Sequence, residues 1–154
     1  MAGEGILIHQ YSTMANSRNN PDWRYDGKSR TEIGNMVRAR SSSLMSKEHF
    51  VIKEDGKKLK FKVTEKDVEH LISDALGLAK GTLYISDIPN LGKAIEKAIF
   101  AGKGDDKDGR KWVKYYYYEI KISNRKMYLN IEKDRKRNRT TLHSITKSIK
   151  KKKD

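Results

Sequence analysis

The sequence predicts an α+β fold in which an N-terminal hairpin and helices precede a C-terminal antiparallel β-sheet. Two observations favour this fold: apolar residues recur at helical spacing over 65–78, and they alternate with polar residues over three later segments. The 154 residues suffice for one domain with flexible ends. Because 36% of them are hydrophobic and 35% are charged, we expect a core of modest size.

Residues 1–46 are predicted to form a flexible leader or linker. From Ser12 to Ser46 the segment is rich in Asn, Ser and Arg, and its apolar residues follow no period. Within it, residues 31–37 have the composition of one or two helical turns that could dock on the domain. We expect the folded domain to span residues 47–149 and residues 150–154 to be a basic tail.

The domain is predicted to begin with a hairpin and a helix. Strands over 49–52 and 59–63 flank the turn Glu54-Asp55-Gly56, and Asp-Gly between such arms is a hairpin signal. Thr64 is placed to cap a helix over 65–78. One face of that helix is expected to be buried, with Val68, Leu71, Ile72, Ala75 and Leu76 at the required spacing.

The middle of the chain predicts a short strand over 83–85 and a helix from Pro89 to Gly102. Residues 102–109, with sequence GKGDDKDG, are predicted to be a polar, flexible loop. Its three aspartates are not followed by the glutamate that completes a calcium loop, so no metal site is predicted.

Three antiparallel strands are predicted over 111–122, 126–133 and 140–146. In the first, Tyr116, Tyr118, Ile120 and Ile122 share the face expected to pack on the core. The other, open face then carries tyrosines, lysines and carboxylates. Because Leu142 and Ile145 differ in parity, the last strand is expected to contain a bulge or to end early, with His143 or Ser144 on the open face.

Positive charge is concentrated at the end of the chain. Residues 103–154 contain 18 Lys and Arg against 7 Asp and Glu, a net charge of +11 out of +14 for the whole chain. Cations interleaved with aromatic rings are typical of nucleic-acid-binding surfaces. The candidate RNA-binding residues are Tyr115, Tyr117, Lys121, Lys126, Tyr128, Arg135 and Arg137. A basic surface that only keeps the sheet soluble is the alternative interpretation.

Composition excludes several other classes. The chain has no cysteine, so disulfides, thiolate metal sites and cysteine nucleophiles are excluded. No apolar run reaches the ~20 residues that span a bilayer. Neither a phosphate-binding glycine loop nor a zinc pattern is present, so no cofactor is predicted.

The predicted open face has the groups needed to cleave RNA without a metal. Such cleavage needs a base for the 2′-OH proton, a cation for the phosphate and an acid for the leaving oxygen. Glu119 is the candidate base and His143 the candidate acid, and Lys121 or Lys114 is the candidate phosphate clamp. In the competing interpretations, Glu119 and Lys121 form cross-strand ion pairs with residues of neighbouring strands, and His143 is an ordinary surface histidine.

The order of motifs resembles a known group of domains. The motifs are Glu69-His70-Leu71, the segment 88–98 (IPNLGKAIEKA), Val113-Lys114, the segment 125–132 (RKMYLNIE) and Leu142-His143-Ser144-Ile145. Over residues 51–146 this order is similar to that of the phage-associated nuclease-like domains grouped with barnase, EndoU, the tRNA-cleaving colicins and RelE. Those domains occur as toxin modules of polymorphic toxins and in large phage or mobile-element polyproteins.

The resemblance implies a metal-independent endoribonuclease that acts on tRNA or other cellular RNA. His70 matches the helix histidine of the group, Lys114 the basic residue at the strand start, and Ser144 and Thr146 the polar residues of the closing strand. It also implies a toxin used in bacterial competition, which acts in the cytoplasm of a target or host cell and is delivered as part of a larger secreted protein. An acidic immunity or antitoxin protein would neutralise it, since opposite fields favour association.

Two other functions remain open at this stage. A non-catalytic RNA- or DNA-binding module would use the same face and bind with strong salt dependence. A structural or interaction domain would use its lysines only for solubility.

Overall fold

A computed structural model of the chain describes residues 22–77 and 83–149. The described residues form four α-helices, two short 3-10 helices and six strands. The α-helices are α1 (Arg30–Arg40), α2 (Ser42–Ser46), α3 (Glu65–Leu76) and α4 (Leu91–Glu96), and the 3-10 helices span Trp23–Tyr25 and Ile85–Asn90. The strands are β1 (Glu48–Ile52), β2 (Lys58–Lys62), β3 (Ile99–Asp105), β4 (Val113–Ile122), β5 (Arg125–Asp134) and β6 (Arg139–Thr146).

The six strands form one sheet in the order β1-β2-β6-β5-β4-β3. All neighbours pair antiparallel except β2 and β6, which pair in parallel at Lys62 and Thr141. The sheet curls around its core face, because its two ends come together there. The Tyr118 hydroxyl on β4 donates to the Ile52 carbonyl on β1 at 3.0 Å, and Lys103 Nζ lies 2.7 Å from Glu54 Oε1.

Helices cover the core face of the curled sheet. Helix α3 begins with a capping box in which Thr64 Oγ1 accepts from the Asp67 amide at 3.2 Å, and Asp67 Oδ2 accepts from the Thr64 amide at 2.9 Å. All five apolar residues predicted for its buried face are buried. They pack with the inner residues of the sheet, which include Tyr118, Ile120, Met127, Leu129 and Ile131.

The predicted α+β class, the hairpin, the helix after Thr64 and the last three strands are confirmed. Strands β4, β5 and β6 differ from their predicted bounds by one or two residues. They do not form a sheet of their own, however. They are the centre of a sheet that also contains the hairpin and β3.

The predicted strand over 83–85 is wrong. Leu83 and Tyr84 are irregular, and Ile85 begins a 3-10 helix. The side chain of Asp22 accepts hydrogen bonds from the amides of Ile85 at 3.1 Å and Ser86 at 3.0 Å. These bonds satisfy the two amides at the start of the 3-10 helix. In a β-strand, the same amides would have to bond to a neighbouring strand.

The predicted helix from Pro89 to Gly102 and the loop over 102–109 are also corrected. Helix α4 ends at Glu96, and the chain then forms β3 over Ile99–Asp105. Two glycines let this strand lie close to β4. Gly102 has a φ of 155°, and a Cβ on Gly104 would lie 2.9 Å from the Tyr117 hydroxyl.

Residues 22–46 pack on the core, although their composition predicted a flexible leader or linker. Helix α1 begins with a capping box between Ser29 and Glu32, and Ile33 and Val37 on its inner face are buried. Leu44 of α2 and Tyr25 are buried with them in the same cluster. The rest of the predicted leader, the tail at 150–154 and the end of the predicted helix at 78 lie outside the described residues. No helix of the described ranges is long and apolar enough to cross a membrane.

Candidate functional site

The outer face of the sheet carries the polar side chains of β4, β5 and β6. The register of β4 and β5 places Tyr115 opposite Glu132, and Tyr117 opposite Asn130. Further along the same two strands, Glu119 lies opposite Tyr128. Tyr118, Ile120 and Ile122 of β4 are buried on the opposite face, so the core face predicted for this strand is confirmed.

A β-bulge brings two consecutive residues of β6 to this outer face. Asn130 pairs with Ser144 and Ile131 pairs with Leu142, so His143 is the extra residue between them. Leu142 and Ile145 can both be buried for this reason, and the predicted bulge is confirmed. His143 and Ser144 both point outward, since each contacts an outward side chain of β4 or β5.

His143 belongs to a group of five side chains that we call the acid–histidine cluster: Asp106, Arg110, Tyr115, Glu132 and His143. The Nδ1 atom of His143 lies 3.3 Å from Glu132 Oε2. The hydroxyl of Tyr115 lies 3.4 Å from the same oxygen and 3.4 Å from Asp106 Oδ1. The rings of Tyr115 and His143 meet edge to face, with centroids 5.2 Å apart.

Asp106 and Arg110 reach the cluster from the turn between β3 and β4. Gly109, at a φ of 80°, closes that turn with a bond from its amide to the Asp106 carbonyl. The Asp106 carboxylate accepts three hydrogen bonds from Arg110: from Nε at 2.9 Å, from Nη2 at 3.1 Å and from the backbone amide at 3.2 Å. Arg110 thereby holds a buried carboxylate next to Tyr115.

These contacts shift the pKa values of three of the groups. The hydrogen bonds from Arg110 lower the pKa of Asp106 to about 2, and Asp106 in turn raises the pKa of Arg110. Burial, with the negative charges of Glu132 and Asp106, raises the pKa of Tyr115 to about 12. Tyr115 therefore keeps its hydroxyl proton and can donate it to one carboxylate at a time.

The cluster is open to solvent on one side. The side chain of His143 is 51% exposed, whereas that of Glu132 is 18% exposed and that of Asp106 is 2% exposed. The Arg110 side chain is 41% exposed, and Asp106 takes two of its five N–H donors. His143 and Arg110 are therefore the two members of the cluster that a solute can reach most easily.

A group of cations, which we call the basic rim, lies at the end of the sheet nearest the cluster. The turn between β5 and β6 is fastened to the loop before β4, because Arg135 Nη2 donates to the Lys111 carbonyl at 2.7 Å and the Arg135 amide donates to the Trp112 carbonyl at 2.9 Å. Lys136 Nζ lies 4.8 Å from the Trp112 ring centroid. The basic rim comprises Lys111, Arg135, Lys136, Arg137 and Arg139, all exposed.

Some of the predicted site residues lie in or beside the cluster. His143 and Tyr115 are members, and Tyr117 is next to Tyr115 on the outer face. Ser144 and Thr146 bind the side chain of Asn130, whose Nδ2 donates to Ser144 Oγ at 2.6 Å and to Thr146 Oγ1 at 3.3 Å. The predicted RNA-binding residues Arg135 and Arg137 belong to the basic rim.

Other predicted site residues lie away from the cluster. Glu119 is four residues from Tyr115 along β4, about 13 Å, and forms an ion pair with Lys126 at 3.4 Å. Tyr128 and Lys121 lie at that same end of the sheet. Lys114 points to the other side of β4 from Tyr115 and binds Asp105 at 2.6 Å. His70 is exposed on α3, which packs on the core face and is separated from the cluster by the sheet.

Sequence reasoning missed the roles of Glu132, Asp106, Arg110 and Asn130. The parity of β5 placed Glu132 and Asn130 on the outer face, but only the register of three strands shows that Glu132 meets His143. For Asp106 and Arg110, the available signal was their spacing of four residues around a glycine turn.

Within 22–77 and 83–149, no group of three His, Asp or Glu side chains is close enough to hold a metal ion. Comparison with known proteins finds no match: no family model matches the chain, and no curated protein or solved structure is detectably similar to it.

Proposed function

We propose that this domain is an endoribonuclease that cleaves RNA by attack of the 2′-OH on the adjacent phosphorus. The observation that carries the proposal is the contact between His143 and Glu132 on the outer face of the sheet. An imidazole and a carboxylate next to each other supply a proton donor and a proton acceptor. Arg110 and the basic rim beside them supply positive charge for a phosphate.

In the proposed reaction, the Glu132 carboxylate accepts the proton of the 2′-OH. The 2′ oxygen forms a bond to phosphorus, and the bond from phosphorus to the 5′ oxygen breaks. Protonated His143 donates its proton to that leaving oxygen, so the products are a 2′,3′-cyclic phosphate and a 5′-OH. The free N–H donors of Arg110 would stabilise the negative charge that develops on the phosphoryl oxygens.

Glu132 is a better candidate for the base than Glu119 because of what each carboxylate contacts. Glu132 faces His143 and the Tyr115 hydroxyl through the same oxygen, Oε2. Glu119 contacts Lys126 and lies about 13 Å further along β4. A general base and a general acid acting on one phosphate must both reach it, which favours the carboxylate beside the histidine.

We further propose that the domain is a bacterial toxin module with the arrangement of the barnase, EndoU, colicin and RelE group. The four antiparallel strands β3–β6 that follow the helices, and the motif order, support this. By the same resemblance its substrate is tRNA or other cellular RNA, and it acts in the bacterial cytoplasm after delivery within a larger protein. A net charge of +14 favours neutralisation by an acidic immunity partner.

The test is incubation of the purified protein with tRNA and rRNA in EDTA, followed by a denaturing gel. We expect discrete cleavage by the wild type. In His143→Ala and in Glu132→Gln, the rate of cleavage should be at least about 100-fold lower. Glu119→Gln is the matched control, since it makes the same chemical change outside the cluster and should cleave like the wild type.

Two results would contradict the proposal. If Glu119→Gln lost cleavage while Glu132→Gln kept it, the base would be Glu119 and the cluster would not be the active site. If RNA stayed intact but was retarded on a native gel, the domain would be a non-catalytic RNA-binding module.

A further inference from the structure

The outer face of the hairpin β1–β2 carries a row of three lysines that we call the lysine ladder: Lys58, Lys60 and Lys62. Leu59 and Phe61 between them are buried in the core, so the lysines alternate outward. Residues two apart on a strand are separated by about 6.8 Å. This spacing is close to that of successive phosphates in an extended nucleic-acid strand.

The sheet places the lysine ladder beside the acid–histidine cluster. Lys62 at one end of the ladder pairs in register with Thr141 on β6, and Thr141 pairs with Glu132 on β5. Lys62 is therefore two strands, about 10 Å, from Glu132 on the same face. A nucleic-acid strand bound along the lysine ladder would lead directly to the acid–histidine cluster.

The ladder carries more positive charge than the carboxylate beside it can balance. Glu48 lies across from Lys62, but no ion pair between described residues involves any of the three lysines. Uncompensated like charges in a row are unfavourable unless a polyanion is bound.

An aromatic ring lies in the middle of the ladder. Phe50 on β1 is opposite Lys60 and is 44% exposed. The Lys58 ammonium lies 4.3 Å from the centroid of the ring. Lysines around an exposed ring are the combination that single-stranded nucleic acids recognise, since the cations contact phosphates and the ring stacks on a base. An acidic protein surface would use the lysines but would gain little from the ring.

We propose that the lysine ladder and Phe50 bind a single-stranded segment of the RNA substrate and lead it to the acid–histidine cluster. The lysines contact successive phosphates, and Phe50 stacks on one base. This inference rests on the proposed function for the identity of the ligand, but it concerns binding and can be measured without cleavage.

The experiment measures the affinity of a fluorescent 20-nucleotide single-stranded RNA by anisotropy, in EDTA and over a series of salt concentrations. The parent protein is His143→Ala, so that the RNA is not consumed. The ladder variant adds Lys58→Gln, Lys60→Gln and Lys62→Gln. The control adds Lys66→Gln, Lys93→Gln and Lys97→Gln on the helical side, which gives it the same net charge.

We expect the plot of log affinity against log salt to be less steep for the ladder variant by about 2, because each lost phosphate contact removes about 0.7 from the slope for single strands. The control should match the parent. Phe50→Ala should bind about tenfold more weakly with an unchanged slope. Equal slopes for ladder and control variants would overturn the inference.

A second ligand separates RNA from other polyanions. If poly-glutamate binding depended on the ladder and on Phe50 as strongly as RNA binding does, the surface would be a site for acidic partners and the inference would be wrong. Failure of the proposed function is distinguishable from either result. If the proposed function fails, the wild type leaves RNA intact. If only the present inference fails, the wild type cleaves RNA and the ladder substitutions do not change the salt dependence of binding.

Discussion

Replacement of Val37 by alanine tests whether α1 is part of the folded domain. The side chain of Val37 is fully buried, and the helix that carries it, α1, contacts both α3 and the 3-10 helix Ile85–Asn90. Val37→Ala removes two methyl groups. At about 0.8 kcal/mol each, plus a term for the cavity that remains, we expect the free energy of unfolding to fall by about 2 kcal/mol.

The assay is urea denaturation followed by circular dichroism, with the free energy of unfolding obtained by linear extrapolation. Thr31→Ala on the exposed side of the same helix is the control, and it should change the stability by less than about 0.5 kcal/mol. If Val37→Ala left the main unfolding transition unchanged, α1 would be a detachable leader, as the composition of residues 1–46 suggested.

Two further predictions concern the residues around the cluster. The pKa of Asp106 is about 2 when folded and 3.8 ordinarily, so the stabilisation from its charge is complete above about pH 4 and is lost as the pH falls towards 2. The difference in unfolding free energy between wild type and Asp106→Asn should therefore shrink over that interval, and a constant difference would contradict this account. Gly104→Ala should destabilise the protein by up to about 1 kcal/mol because its Cβ would meet Tyr117. In a Tyr117→Ala background the same substitution should stabilise by about 0.5 kcal/mol, since alanine fits a strand better than glycine; the same sign in both backgrounds would refute the steric explanation.

The parts of the fold that could be predicted are those with strong local signals. Thr64 with Asp67 and the apolar face behind them specify α3, and the alternation of apolar residues specifies β4 and β5. The parity conflict between Leu142 and Ile145 was enough to predict a bulge or an early end in β6, and the register places the bulge at His143. In each of these elements the periodic pattern and the tertiary packing agree.

The parts that could not be predicted depend on distant residues. The 3-10 helix at Ile85 is capped by Asp22, 63 residues earlier in the chain. Strand β3 is rich in glycine, which local propensity disfavours, and its Gly104 leaves room for the Tyr117 side chain of the neighbouring strand. Helix α1 has too few buried residues to give a clear period, although Ile33 and Val37 reach the core.

In the candidate site, too, the local pattern predicts some features, and others depend on residues that are distant in the chain. The outward parity of Tyr115 and Glu132 could be read from the sequence, which left either His143 or Ser144 as the outward residue of β6. The meeting of Tyr115, Glu132 and His143 depends on the register of β4, β5 and β6. Glu119 was the predicted base, and only the register of the strands placed Glu132, which was not among the predicted site residues, beside His143. Asp106 and Arg110 needed the glycine turn before β4, which composition alone presented as a flexible loop.

In the proposed reaction, Glu132 and His143 together transfer the protons of RNA transesterification. The chemistry of the new RNA ends, after cleavage by the wild type in EDTA, tests this role. We expect a 2′,3′-cyclic phosphate and a 5′-OH, with both products absent after Glu132→Gln or His143→Ala. Fragments with a 3′-OH and a 5′-phosphate would show that water rather than the 2′-OH attacks, and the proposed roles of Glu132 and His143 would then be wrong.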